Sequence, residues 1–480
     1  MKKVKRKLAN LGEINLVELL QACNGSITIQ LIDAGMIRDQ EMEYEFELVD
    51  TESICIMPKG KEKSRIIIPS KIVVSPKLLI FFGMYDGDGN KTGNIGFAQN
   101  NTELQTFVAD AIEFIFPKAF KSKVNILESS KFFESDEIQH DLQRIGNTIR
   151  KEIGQSPSKE EVQKRYLLEE FSKMGFQVGT TEKVSITISP KKGGEIKGKR
   201  SYEIIVEKLN SRLFLPFLLY IIKQTIDSIL ESKQFPGIHW FLDPNKEAFD
   251  CLDVEKYIQS DRCKYLTPSG RKRGYSKRTN DSHVQIYKSS PATLVKIRKV
   301  IYVTPLLCIM FGIYWAEGTT TKKKLFTFRE RNETNLGIGF NSSENKSLHL
   351  FFDAIFQIFL EPNELISCWL VKIGAKYHAE TNALGSKLGV PIARGGPGGD
   401  GIARSAEITR VAKEWATNQF PIMRSWAKYY SHVEFTGAGI PRIDIRCRPT
   451  SALFFFSLMV DLTFCEDAIY PFLVDCRSVK

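Results

Sequence analysis

Two acidic residues, Asp88 and Glu317, stand near the ends of two copies of one sequence pattern. Residues 73–89 align without a gap on residues 302–318, and each copy delivers its carboxylate at the same place. If the two copies meet, two like charges lie side by side and repel unless a divalent cation binds between them. The pattern therefore predicts a metal site with hard oxygen ligands.

Each acid is predicted to sit at the end of a short buried helix. Ser75-Pro76 and Thr304-Pro305 place a hydroxyl at the N-cap and proline at the first helical position, where its missing N–H costs nothing. An apolar run follows in both copies, and the glycine after each acid predicts the helix end.

Small residues predict that the two helices pack face to face. Gly83 and Gly87 stand four residues apart in the first copy, as do Gly312 and Ala316 in the second. Such spacing puts both small residues on one helical face and lets another backbone approach closely. Packing through these faces brings the two carboxylates together at one end.

The motif residues 81–89 and 310–318 resemble the LAGLIDADG homing endonuclease family in its single-chain, two-motif form, with the metal-binding acid at the eighth letter. The resemblance implies an α+β fold of two pseudo-symmetric αββαββα repeats packed through their motif helices. It also implies a metal-dependent, site-specific double-stranded DNA endonuclease that uses Mg²⁺ or Mn²⁺.

The repeat extends beyond the motif and sets the expected domains, since an Ile-Gly-Phe strand, a polar turn and an amphipathic helix recur after each copy. The first repeat is predicted over residues 73–232, with a helical insertion near 136–176, and the second over 302–480. Residues 1–72 read as a small β-rich N-terminal module and residues 233–301 as a basic linker. The Gly-rich residues 385–401 are either a phosphate-binding loop or a flexible connection.

The resemblance also places a basic residue on the strand before the last helix of each repeat. Alignment of the repeats puts Lys208 and Arg448 at these positions, where each would stabilise charge on the phosphate. The alternative is that both are ordinary solvated residues at strand ends.

Basic clusters predict contacts with the nucleic-acid backbone. The densest cluster lies within residues 262–299, where tyrosines are interleaved and the only acid is Asp281. The residues singled out are Arg271, Lys272, Arg273, Lys277, Arg278, Lys322, Lys323, Lys324, Arg329, Arg331, Lys197, Lys199 and Arg200. A solvated loop is the alternative for such a run. The residues at 322–331 fall on a predicted hairpin that pairs residues 324–328 with 336–340.

Composition agrees with a nucleic-acid partner. The chain has 480 residues and a formal net charge of +11. Its nine cysteines show no CxxC spacing, which argues against a zinc site or a disulfide framework. The longest apolar runs are too short to span a bilayer, so we expect no membrane segment and a monomer in a prokaryotic cytoplasm or an organelle.

Departures from the family pattern keep a second function open. The first copy has room for only a turn between Gly89 and Ile95, so its DNA-reading hairpin is expected to be missing or replaced, and Trp315 stands where the first copy has Asp86. The alternative is a non-catalytic DNA- or RNA-binding protein on the same scaffold, such as a regulator or an intron maturase. A subunit of a defence or mobile-element system would share the same chemistry.

Overall fold

The structure is a computed structural model, and its sheets and helices make a mixed α+β protein. It describes residues 12–21, 26–30, 41–91, 93–99, 102–117, 122–173, 183–189, 201–206, 208–230, 238–240, 248–259, 275–280, 282–288, 294–318, 338–360, 366–374, 401–402, 414, 416–426, 431–436, 442–447, 449–464 and 473–474.

The principal helices are α1 (Leu16–Gln21), α2 (Pro76–Asp88), α3 (Thr102–Ile115), α4 (Asp136–Ile153), α5 (Lys159–Lys173), α6 (Lys208–Leu230), α7 (Val254–Gln259), α8 (Pro305–Glu317), α9 (Asn345–Ile358) and α10 (Pro449–Phe464). The strands before α8 are β1 (Gly12–Asn15), β2 (Ser26–Gln30), β3 (Glu41–Leu48), β4 (Ser53–Pro58), β5 (Ile66–Pro69), β6 (Lys71–Val73), β7 (Gly96–Gln99), β8 (Ser122–Ser129), β9 (Lys183–Ser189), β10 (Ser201–Val206), β11 (Ile238–Trp240), β12 (Cys251–Asp253), β13 (Tyr275–Thr279), β14 (His283–Lys288), β15 (Val295–Arg298) and β16 (Val300–Tyr302). The strands after α8 are β17 (Gly339–Ser342), β18 (Ile366–Gly374), β19 (Gly401–Ile402), β20 (Ser431–Thr436), β21 (Arg442–Cys447) and β22 (Leu473–Val474).

The chain divides into two compact units. The N-terminal unit comprises Gly12–Val74 and Asp88–Phe241, and the C-terminal unit comprises Met1–Leu11, Ser75–Gly87 and Leu242–Lys480. The motif helix α2, except for its last residue, therefore belongs to the same unit as the motif helix α8.

The N-terminal unit begins with the strands that the alternating residues 26–68 predict. β2, β3, β4 and β5 form an antiparallel sheet in that order, and Gly60 in its turn takes a positive φ of 74°. The Tyr44 hydroxyl donates to the carbonyl of Leu213 in α6 at 2.5 Å, which ties this sheet to the rest of the unit. β1 lies between β6 and β11, and residues 12–74 belong to one compact unit with residues 88–241.

A second sheet of the N-terminal unit has the strand order β7-β10-β8-β9. β8 and β9 are parallel because the two helices α4 and α5 lie between them in the chain and make the crossover that parallel strands require. These helices correspond to the insertion predicted at 136–176. α6 follows β10 as a helix of 23 residues that contains Pro216.

The C-terminal unit contains three further sheets, with the orders β16-β12-β22, β13-β14-β15 and β17-β21-β18-β20-β19. In the last of these, β18 and β20 are parallel and the other pairs are antiparallel. α8 is buried almost throughout, as expected for a helix that is apolar on every side.

The stretch predicted to be a basic linker, residues 233–301, contains regular secondary structure. Its described residues include β11 to β15, α7 and most of β16, and β13, β14 and β15 form a sheet. Val284, Ile286, Val295 and Ile297 alternate with the polar residues of β14 and β15, and all four are at most 3% exposed. Burial of this apolar face drives the segment into a sheet despite its charge.

Candidate functional site

The motif helices begin where the sequence predicts. The Ser75 hydroxyl accepts from the backbone N–H of Leu78 at 3.2 Å, and the Thr304 hydroxyl accepts from Leu307 at the same distance. Proline follows each cap as the first helical residue. The predicted N-caps are therefore confirmed, and each satisfies one of the donors that a helix start leaves free.

The backbones of α2 and α8 touch at Gly83 and Gly312. A Cβ built on Gly83 would lie much closer than 3.0 Å to the carbonyl oxygen of Ile309, and one on Gly312 equally close to the carbonyl of Ile80. A Cβ on Gly312 would also lie 2.7 Å from the backbone nitrogen of Met84 and 2.9 Å from the Cα of Gly83. No side chain fits between the helices here, so both positions require glycine.

The contact is reciprocal. Ile80 and Ile309 occupy equivalent positions of the two sequence copies, as do Gly83 and Gly312. Each glycine thus meets the carbonyl of the residue three positions before the other glycine. The sequence predicted the small residues, but the carbonyls of the two isoleucines carry no side-chain signal that would have revealed them.

The C-terminal ends of the two helices also approach each other. A Cβ on Gly87 would lie 2.5 Å from the Cβ of Ala316 and 3.5 Å from the Cγ of Glu317. The structure therefore brings Glu317 beside Gly87, and Asp88 is the next residue along α2. Asp88 is exposed and Glu317 is half-buried, so solvent reaches both positions.

Gly318 ends α8 for a reason other than the expected one. Its φ is −57°, outside the left-handed region in which glycine commonly ends a helix. A Cβ at this position would instead lie 2.6 Å from the ring of Tyr314. Steric crowding against Tyr314, rather than backbone conformation, accounts for the glycine.

The divergent pair Asp86 and Trp315 has a structural explanation. The Trp315 indole is buried, donates to the Thr463 hydroxyl of α10 at 3.0 Å and contacts the ring of Phe464. Asp86 is half-buried and lies 3.9 Å from the ammonium of Lys346 in α9. One copy therefore packs a large ring at this position, and the other forms an ion pair.

A hydrogen-bonded chain supports the start of α8. The Thr304 hydroxyl donates to Gln357 Oε1 at 2.8 Å, and Gln357 Nε2 donates to Asp353 Oδ2 at 2.5 Å. Burial raises the pKa of the Asp353 carboxyl, and the hydrogen bond from Gln357 lowers it in part. No sequence pattern marks this group, because Thr304 lies 53 residues before Gln357 in the chain.

The oxygen ligands near the helix ends suit Mg²⁺ better than a transition metal. Within the described part of the chain, no group of three or more His, Cys, Asp or Glu residues could hold a metal ion. Mg²⁺ commonly takes one or two carboxylates, keeps several waters and binds substrate phosphates. The carboxylates of Asp88 and Glu317 are ligands of this kind.

The predicted basic residues are only partly described. Lys208 is the first residue of α6 and β10 ends at Val206, so the expectation that Lys208 lies on the strand is corrected. The backbones of Lys277 and Arg278 lie in β13. The other predicted basic residues lie outside the described residues: Arg448, Arg271, Lys272, Arg273, Lys322, Lys323, Lys324, Arg329, Arg331, Lys197, Lys199 and Arg200. So do the 324–328 strand of the predicted hairpin and most of the Gly-rich residues 385–401.

One described helix is long and apolar enough to cross a bilayer, by length and composition. It covers Ser211–Leu230, so the apolar run expected to be too short belongs to a longer helix. Of its most apolar stretch, 67% is buried inside the protein. Core helices of soluble proteins pass the same test, which makes this a weak indication of a membrane.

Comparison of the chain with protein-family models, with curated proteins and with solved structures gives no match.

Proposed function

We propose that this protein is a metal-dependent, site-specific double-stranded DNA endonuclease of the LAGLIDADG type. The observation that carries the proposal is the reciprocal crossing of α2 and α8, with Glu317 beside Gly87 and Asp88 next in the chain. Reciprocal contacts between equivalent residues are what a local two-fold axis produces. Such an axis would relate the two acids. Each acid could then act on one strand of a duplex.

The strand orders support two pseudo-symmetric repeats. After α2 the order is β7-β10-β8-β9, and after α8 the order β17-β21-β18-β20 repeats it, with one further strand at the edge. The last two strands of each run are parallel, β8 with β9 and β18 with β20. The strand that pairs with the first strand of each sheet, β10 or β21, is followed in the chain by a long apolar helix, α6 or α10.

Hydrogen bonds before the motif helices extend the likeness beyond the expected repeat. The N–H of Leu16 donates to Ser70 at 2.8 Å. At the matching place the N–H of Val254 donates to Lys299 at 2.9 Å. Ser70 and Lys299 stand at equivalent positions, three residues before the start of each motif copy. The two hydrogen bonds are therefore equivalent in the two halves.

Helix caps and strand pairing repeat there as well. Asn15 caps α1 by accepting from Glu18 at 3.3 Å, and Asp253 caps α7 by accepting from Lys256 at 3.2 Å. β1 lies between β6 and β11, as β12 lies between β16 and β22. We infer a duplication of about half the chain, in which the N-terminal module corresponds to the expected linker.

The proposed chemistry assigns separate tasks to the chain's own residues. Asp88 and Glu317 would hold Mg²⁺ or Mn²⁺ at the scissile phosphates, and the bound ion supplies an activated water and charge stabilisation. Lys208 and Arg448 would stabilise negative charge on the phosphate. The glycines at the crossing would keep the two acids close, because no side chain fits between α2 and α8 at Gly83 and Gly312.

The test removes each acid in turn from the full-length protein. Asp88→Asn and Glu317→Gln should lower cleavage of a randomised duplex library by about 100-fold or more, because each removes charge stabilisation of the transition state. Duplex binding and folding should change little. Asp86→Asn is the matched control, since it removes a nearby carboxylate that faces Lys346 instead.

Calorimetry with Mg²⁺ and Mn²⁺ in the presence of duplex DNA separates the proposal from its alternative. The enzyme should take up metal, and both acid variants should bind it more weakly. A wild-type protein that binds duplex but no metal would instead support the non-catalytic DNA- or RNA-binding function. The proposal further expects a monomer in a prokaryotic cytoplasm or an organelle.

A further inference from the structure

The helix α4 is held firmly by its apolar face. Leu142 and Ile145 join a buried cluster with Ile126 of β8 and Tyr166 of α5. Gly146 lies near Val162, because a Cβ on it would lie 3.6 Å from a Val162 methyl group. α4 thus packs one face against the unit and exposes the other to solvent.

The opposite face of α4 carries a stripe of polar side chains that can donate hydrogen bonds. The reading stripe consists of His140, Gln143, Asn147, Arg150 and Lys151, all of them exposed. These positions recur at three- and four-residue intervals, which places them on one side of the helix. Among the described residues, no side-chain hydrogen bond or ion pair involves any member of the stripe.

The acids of α4 lie away from the middle of the stripe. Asp141 and Glu152 fall on its flank, and Asp141 is paired with Arg144 at 3.5 Å. Asp136 and Glu137 stand in the first turn, where Asp136 lies on the face of the stripe at its N-terminal end. From Gln143 to Lys151 the outward stripe therefore combines amides with positive charge.

That combination matches the edges of DNA bases. Asn and Gln side chains bind adenine through two hydrogen bonds, and Arg or Lys binds guanine or phosphate. α4 has 18 residues, which is about 27 Å of helix, and an α-helix fits the major groove of B-form DNA. Asn is also a poor helix former, so Asn147 in mid-helix lowers helix stability without a partner inside the protein.

We propose that α4 inserts its reading stripe into the major groove of duplex DNA and reads bases there. The proposal rests on the proposed function in that it takes duplex DNA as the partner. It adds a helix that contacts the bases of that DNA. The deep, narrow major groove of A-form RNA excludes a helix, so double-stranded RNA should not replace DNA on this face.

The experiment selects duplexes from a randomised DNA library with the full-length wild type and two variants. Gln143→Ala combined with Asn147→Ala should change the selected bases and weaken binding to the wild-type site about 5- to 150-fold for each lost bidentate contact. Lys151→Ala should instead weaken all sequences alike and lower the salt slope by about 1. Alanine raises helix propensity, so unfolding does not explain a loss.

Thr148→Ala is the matched control on the same helix, because Thr148 lies on the flank and its hydroxyl donates to the Arg144 carbonyl. It should leave base preference and affinity unchanged. Unchanged preference in the double variant, with wild type selecting a clear site, would overturn the role of α4 alone. A wild type that binds no duplex DNA, or binds double-stranded RNA equally well, would overturn both this role and the DNA substrate.

Discussion

At the residue scale, Gly83 and Gly312 control how closely the two motif helices approach. Each stands against a backbone carbonyl of the other helix, and a backbone atom cannot rotate away as a side chain can. A methyl group added at either position can therefore be accommodated only if α2 and α8 move apart, which lowers stability.

Gly83→Ala or Gly312→Ala should lower the free energy of unfolding by about 1–3 kcal/mol or more, because the added methyl forces α2 and α8 apart. Urea unfolding of the full-length protein measures the change. Gly146→Ala is the control, since its methyl would meet Val162 at 3.6 Å and should add about 0.5–1 kcal/mol of helix stability. Equal effects of the three substitutions would contradict the close crossing.

Asp353 gives a pH-dependent prediction. Burial raises the pKa of this carboxyl, so the folded state keeps its proton at pH values where the unfolded chain has lost it. The stability that Asp353 contributes is therefore present at low pH and is lost as pH rises through the folded pKa. Asp353→Asn keeps an acceptor for Gln357 and should gain stability relative to wild type as pH rises above about 4. A pH-independent difference in urea unfolding would refute this.

At the element scale, the start of α8 depends on one hydroxyl. Thr304 accepts from Leu307 and donates to Gln357, so it joins the motif helix to α9. Thr304→Ala should lower the free energy of unfolding by about 0.5–2 kcal/mol, the usual cost of a lost N-cap. Thr304→Ser keeps the hydroxyl and serves as the control. Thermal unfolding of both variants tests whether the cap stabilises this helix.

At the whole-molecule scale, the net charge of +11 makes salt dependence the measure of backbone contacts. Replacing Arg271, Lys272 and Arg273 with alanine should weaken binding to all duplexes similarly and reduce the salt slope by up to about 3. The triple variant Lys61→Ala, Lys63→Ala, Arg65→Ala removes the same charge from an exposed part of the N-terminal unit. Only the first variant should change the salt slope. Equal slopes in the two variants would support the alternative that Arg271, Lys272 and Arg273 lie on a solvated loop without DNA contacts.

The sequence by itself determined the motif helices, because the N-caps and apolar runs that specify them are contiguous in the chain. Ser75 and Thr304 cap as the residue order predicts, and the strands of residues 26–69 follow their own alternation. The spacing of the small residues around Gly83 and Gly312 was by itself enough to predict a close helix contact.

Only the tertiary structure decided what those local signals combine into. The charge of the segment before α8 indicated a linker, but burial of Val284 and its neighbours outweighs charge and makes a sheet. The partner of each motif glycine is a backbone carbonyl, which has the same chemistry at every residue. Because strand order and backbone contact depend on residues far apart in the chain, no local pattern could specify them.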